Sequence, residues 1–102
     1  MEKLSVFPLM SKAIPKRNWR KTRQDGDFLI VMANNLRICY LNKTAAFLLQ
    51  LVDGRRSVGE IADAMLEQFA VGREKLENDV VAVLRDLEHK GVLTLGYQEG
   101  VS

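Results

Sequence analysis

With 47% hydrophobic and 27% charged residues in 102, the chain has the balance of one globular domain with a single modest core, which excludes wholesale disorder. No apolar run approaches the ~18 to 20 residues needed to cross a bilayer, and the run Leu4 to Met10 is short, broken by Pro8 and followed by lysine instead of a cleavage site, so a cytoplasmic protein is expected. The net charge of +2 hides an asymmetry, because Met1 to Arg23 carries seven basic residues against one acid and the remainder is mildly acidic. Such a basic arm either attracts an acidic partner or is a solvated tail. One cysteine, Cys39, and one histidine, His89, leave no internal disulfide and no cluster of metal-ligand spacing, so no metal or other cofactor is expected.

Residues 1–15 hold both prolines and little periodicity, which predicts a basic, loosely ordered arm. A strand follows over Asn18 to Arg23, with Trp19, Lys21 and Arg23 on one side and Arg20 and Thr22 on the other, and Asp25-Gly26 turns it into a second. That second strand is apolar on both sides: Phe28, Ile30 and Met32 face one way, Leu29 and Val31 the other. The pattern suits a central strand covered on both faces or lying beside another apolar element. Asn34-Asn35 has the chemistry of a tight hairpin turn into a third strand, Leu36 to Leu41, in which Leu36, Ile38 and Tyr40 alternate with Arg37, Cys39 and Leu41.

Nearly everything after Leu41 reads as helix. Asn42 caps a helix from about Lys43 to Val52, with Ala45, Leu48, Leu49 and Val52 at core spacing and Asp53-Gly54 as its stop. Ser57-Val58-Gly59-Glu60 has the spacing of a capping box and opens a second helix whose core stripe is Val58, Ile61, Ala62, Met65, Leu66 and Phe69. A third runs from about Arg73 to Lys90 on Leu76, Val80, Val83, Leu84 and Leu87, with Gly91 as its end. Val81 lies off the centre of that stripe, as its margin or as part of a binding surface. Val92 to Tyr97 alternates as a short last strand, and a polar tail, 98–102, follows. Because helices follow it, the third strand has no evident partner on its far side. It could be an open edge for an extended peptide, unless Val92 to Tyr97 pairs with it and closes it.

Two sequence stretches together resemble a known family. One is Tyr40-Leu41-Asn42-Lys43-Thr44-Ala45-Ala46, followed after the helix by Val52-Asp53-Gly54-Arg55-Arg56-Ser57-Val58-Gly59-Glu60-Ile61-Ala62. The other is Asn78-Asp79-Val80-Val81 leading to Leu84, Leu87 and Lys90-Gly91-Val92-Leu93. In order and spacing they resemble the PqqD family of peptide chaperones from pyrroloquinoline quinone biosynthesis, whose fold recurs as the recognition element of peptide-modifying systems. The resemblance covers Trp19 to Leu95 within a domain spanning 16–97.

It implies an α+β, winged-helix-like fold with an N-terminal three-stranded antiparallel sheet packed on three helices. It further implies a non-catalytic protein that binds the leader of a ribosomally made precursor peptide and presents it to a modifying enzyme such as a radical S-adenosylmethionine protein. The leader would add beside the third strand, in the groove it forms with the third helix. Carried onto this sequence, the edge is Leu36, Arg37, Ile38, Cys39, Tyr40 and Leu41, and the opposing wall bears Glu77, Val81, Leu84, Arg85 and Glu88. Read from the residues alone, Leu36, Ile38 and Tyr40 fit core positions under the helices equally well, with backbone pairing available either way.

Other function classes fare worse. A DNA-reading winged helix wants a basic recognition helix, whereas Arg73 to Lys90 carries four basic and five acidic residues, so nucleic acid is not an expected partner. There is no glycine-rich phosphate loop and no paired histidine and nucleophile, so an enzyme is not expected. Cys39 reads as a small strand residue, and His89 as a partner of the third helix's negative end. A self-associating scaffold remains open, since an unpaired strand beside a loose arm suits a strand-exchanged homodimer.

Overall fold

Apolar alternation on one face of a three-stranded sheet, and helices with matching stripes, decide how this chain folds. The computed structural model describes residues 7–96. The elements run α1 (Phe7–Met10), β1 (Ile14–Arg17), β2 (Trp19–Asp25), β3 (Phe28–Ala33), β4 (Ile38–Leu41), α2 (Lys43–Gln50), α3 (Val58–Gln68), α4 (Arg73–His89) and β5 (Leu93–Gly96). The strands form two antiparallel sheets, a three-stranded one in the order β2-β3-β4 and a two-stranded ribbon of β1 with β5. The fold is therefore α+β, as expected. The expected third strand and third helix are β4 and α4.

Side chains that share a face of the larger sheet follow from its register. Thr22, Val31 and Cys39 lie in one row and Gln24, Leu29 and Leu41 in the next. Leu29, Val31, Ala33, Cys39 and Leu41 are all buried and join one core with Leu48, Ile61, Met65, Leu76, Leu84 and Leu87 of the helices. The opposite face carries Lys21, Met32 and Ile38 in one row and Arg23, Ile30 and Tyr40 in another. No element of the described residues covers that second face, where Ile30 and Met32 are half-buried, Ile38 is 54% and Tyr40 66% exposed, so of the two expected settings for this strand β3 is the central one beside apolar β4 and not one covered on both faces. A register shift between Trp19 and Lys21 also places those two residues on opposite faces, against the simple alternation expected. Trp19 then packs half-buried against the core, with the Arg17 guanidinium 5.0 Å from its ring centre.

Helix boundaries follow local chemistry. Asn42 caps α2 by accepting from the Ala45 amide at 2.9 Å. The Ser57 hydroxyl accepts from the Glu60 amide at 3.2 Å while the Glu60 carboxylate accepts from the Ser57 amide at 2.9 Å, completing the capping box. Leu66 and Phe69 line the margin of the α3 stripe, and Phe69 meets Phe47 edge to face with ring centres 5.4 Å apart.

The expected loose arm is corrected from residue 7 onward. Phe7, Met10, Ala13 and Pro15 are buried, and β1 pairs with β5 from Ile14 opposite Gly96 to Arg17 opposite Leu93. The carbonyls of Ala13 and Ser11 accept from the Val58 and Gly59 amides at 2.8 and 2.9 Å, so this segment satisfies first-turn donors that α3 could not satisfy itself. A side chain on Gly59 would sit 3.3 Å from the Ser11 carbonyl. Residues 1–6, Tyr97 and the expected polar tail 98–102 lie outside the described residues.

Candidate peptide-binding edge

The last strand does not close the third. β5 runs beside β1, and β4 stays at the end of its sheet with β3 as its neighbour. What that edge offers follows from the hairpin that makes it. The Ala33 amide donates to the Arg37 carbonyl and the Leu36 amide to the Ala33 carbonyl, both at 2.9 Å, which closes a three-residue loop of Asn34, Asn35 and Leu36. The expected two-residue turn is thus one residue longer, and Leu36 belongs to the loop, with φ of 73°. The left-handed backbone usually falls to glycine in this turn and costs other residues about 1–2 kcal/mol.

Antiparallel pairs alternate between hydrogen-bonded and non-hydrogen-bonded, and the Ala33/Arg37 bond sets the phase. In that phase Val31 with Cys39 and Leu29 with Leu41 are the hydrogen-bonded pairs, whereas Met32 with Ile38 and Ile30 with Tyr40 are not. The amides and carbonyls of Cys39 and Leu41 therefore point toward β3. Those of Ile38 and Tyr40 point out of the sheet, and no backbone group of the described residues pairs with them.

Side chains follow the same parity. Cys39 and Leu41 are core, each 5% exposed. Ile38 and Tyr40 stand on the uncovered face, so they are not core under the helices. A cavity of about 360 Å³ lies there, lined by Ile30, Met32, Ile38 and the β2 residues Lys21, Thr22 and Arg23.

The expected helical wall divides. Leu84 is fully buried and Val81 nearly so, which makes both core residues of α4. Glu77 is half-buried and accepts from Arg73 at 3.3 Å, and this bond together with one to Asp63 holds the Arg73 guanidinium above its ordinary range. Arg85 and Glu88 are exposed. Beside β4, a cleft of about 300 Å³ is lined by Arg37, Ile38 and Cys39 and by His89 and Lys90 at the C-terminal end of α4. His89 and Lys90 are residues that sequence reasoning did not place at this site, because their approach to Arg37 depends on how the hairpin docks.

That docking rests on asparagines. The Asn34 side chain donates to the Asn18 side-chain oxygen at 2.9 Å, and the Asn34 amide donates to the Asn18 carbonyl at the same distance. Asn18 in turn donates to the Gly91 carbonyl from its side chain and to the Val92 carbonyl from its backbone, both at 3.0 Å. Asn35 accepts from the Arg37 amide at 2.9 Å and donates to the Lys90 carbonyl at 3.4 Å. The hairpin tip is thereby tied to the turn that ends α4. Gly91 has φ of 81°, and a side chain on it would come within 2.5 Å of the Asn35 amide.

Among the described residues, no group of three or more histidine, cysteine or carboxylate side chains is placed to hold a metal ion, and no helix is long and apolar enough to cross a membrane. Cys39 is a free, buried thiol.

Residues 30–93 match the model of the family described as coenzyme PQQ synthesis protein D (PqqD). A protein of Bradyrhizobium diazoefficiens named PqqA binding protein is 32% identical over 89% of this chain and 87% of its own length. A protein of Rhodopseudomonas palustris strain BisB5 with the same name is 41% identical over 89% and 88%. Among solved structures, TbiB1 in complex with the TbiA(beta) leader peptide superposes with a TM-score of 0.65 at 22% identity, covering 78% of this chain and 92% of that one, a likeness of fold.

Proposed function

The chain belongs to the PqqD family, and from that premise we propose that it binds the leader of a ribosomally made precursor peptide of the PqqA kind and presents it to a modifying enzyme, without catalysing a reaction itself. The observation that carries this reading is the open edge of β4. An extended peptide laid antiparallel or parallel to Ile38–Leu41 finds the amides and carbonyls of Ile38 and Tyr40 already aimed at it. Main-chain bonds of this type supply affinity, and pockets for alternate side chains supply selectivity. The apolar side chains of Ile38 and Tyr40 then flank the added strand on one face of the sheet, while Arg85 and Glu88 of α4 flank it on the other.

Two features support a binding module over a catalyst. Relatives of nearly full coverage are named for what they bind. The site also presents backbone groups and apolar surface instead of a nucleophile and base. The partner enzyme, for which a radical S-adenosylmethionine protein is the proposal, would act on the peptide while it is held at a cytoplasmic protein's sheet edge.

Parity gives the test. With synthetic PqqA added to the labelled protein, the Ile38 and Tyr40 amides should gain protection from hydrogen exchange, while Cys39 and Leu41, already bonded to β3, should change little. Peptide binding that leaves Ile38 and Tyr40 exchanging as before would rule out strand addition at this edge.

A further inference from the structure

We propose, on the basis of that peptide-binding reading, that the cleft between the start of β4 and the last turn of α4 is a subsite for a carboxylate-bearing side chain of the bound peptide, with Arg37 as its binding cation. The cleft is about 300 Å³, ample for a glutamate or aspartate side chain, and it adjoins the outward-facing backbone of Ile38, where a peptide strand begins to pair. Ile38 and Cys39 give it an apolar floor. Arg37 and Lys90 line it as cations, and His89 completes the lining.

The cations differ in availability. The Lys90 ammonium lies 3.0 Å from the Asp86 carboxylate, so its charge is already shared. The Arg37 guanidinium has no carboxylate and no hydrogen-bond acceptor among the described residues. All five ion pairs of the described residues fall between Asp53 and Lys90, and none of them includes Arg37. A planar, unpaired fork beside an apolar floor matches a carboxylate on an extended chain, and charge-assisted bonds of this kind are about twice as strong as neutral ones.

The walls are also pre-set. Asn35 holds the Arg37 amide with its side-chain oxygen and reaches the Lys90 carbonyl with its side-chain nitrogen, so one residue spans the two sides of the cleft. The Gly91 carbonyl is taken by Asn18 and the Glu88 carbonyl by the Gly91 amide, which leaves fewer free helix-end carbonyls to repel an incoming anion. A site held at fixed width binds without first ordering its own parts.

Two arms test the subsite. In the first, affinities of the full chain and its Arg37→Gln variant are measured for synthetic PqqA and for PqqA versions with each acidic residue changed in turn to its amide. The expected result is a loss of about tenfold on Arg37→Gln, no further loss when one acidic position is also changed, and multiplying losses at the others. Independent losses at every acidic position overturn the proposal while leaving peptide binding itself intact. In the second arm no PqqA is used: blocked glutamate, N-acetyl-glutamate amide, should shift the amide resonances of Arg37, Ile38 and Lys90 more than blocked glutamine does, and Arg37→Gln should erase the difference. Equal shifts from the two compounds overturn the subsite whatever PqqA does. A glutamate-specific shift in a protein that does not bind PqqA keeps the subsite and sinks the peptide's assignment.

Discussion

The two edges of the three-stranded sheet are built differently. β2 is seven residues long, carries Arg20, Lys21 and Arg23, and breaks register with a bulge between Trp19 and Lys21. Lysine, arginine and bulges are the devices by which proteins keep an edge from recruiting another strand. β4 has none of them: Ile38, Cys39, Tyr40 and Leu41 are uncharged and pair with β3 in unbroken register. One edge is guarded and the other is not, which favours β4 over β2 for the strand addition proposed above.

The sharpest way to break this comparison uses the parity of β4. Cys39→Pro removes an amide that bonds to β3 and should destabilise the fold by about 3 kcal/mol or more in urea unfolding. Tyr40→Pro removes an outward amide instead, and prolines are tolerated where the amide faces away from the sheet. It should cost no more than about 1 kcal/mol of stability, yet weaken PqqA binding by about tenfold, the worth of one lost hydrogen bond. Equal stability losses for the two variants would show the assigned parity to be wrong.

Next in size is Gly91→Ala. It places a methyl in the left-handed region and against Asn35, and should cost about 1–2 kcal/mol while raising amide exchange at Arg37 and Lys90. The edge itself can be inverted with smaller effects on stability. Replacing Lys21 and Arg23 by threonine should change unfolding free energy by about 0.5 kcal/mol or less, and sedimentation should show increased self-association as β2 loses its guards.

The smallest effect lies away from both edges and serves as a control. The Arg56 and Arg55 amides donate to the Asp53 carboxylate, and the Arg56 guanidinium adds its charge, so its pKa is held below the usual carboxylate value. A depressed folded pKa contributes stability that is present above the unfolded pKa and is lost as pH falls through the folded one. Asp53→Asn should therefore be slightly less stable than the parent at neutral pH, with the difference shrinking below about pH 4. Peptide binding should not respond at all.

Legibility followed the range of the interactions. The capping box at Ser57 and Glu60, the Asn42 cap and the left-handed Gly54 and Gly91 are bonds or conformations within a few residues, and each was readable. The docking of α1 and β1 was not, because two four-residue elements are too short to show a period and find their partners in α3, α4 and β5. The family resemblance puts Leu84 on the binding wall of α4 while helical periodicity puts it in the core, and the packing follows the periodicity. Arg85, one position on, stays exposed.

By itself the sequence determined the element types from Trp19 onward, the caps of α2 and α3, the family and the choice of the strand before Asn42 as the candidate edge, since these rest on periodicity, capping and local motif spacing. The tertiary structure alone decided three things. It paired β5 with β1 and so left β4 open, because pairing partners distant in sequence are selected by how the whole core closes. It set which amides of β4 face outward, because one extra residue in the hairpin loop fixes the phase of every bond that follows. It brought Arg37 to His89 and Lys90, because three asparagines tie the hairpin tip to the end of a helix more than fifty positions away.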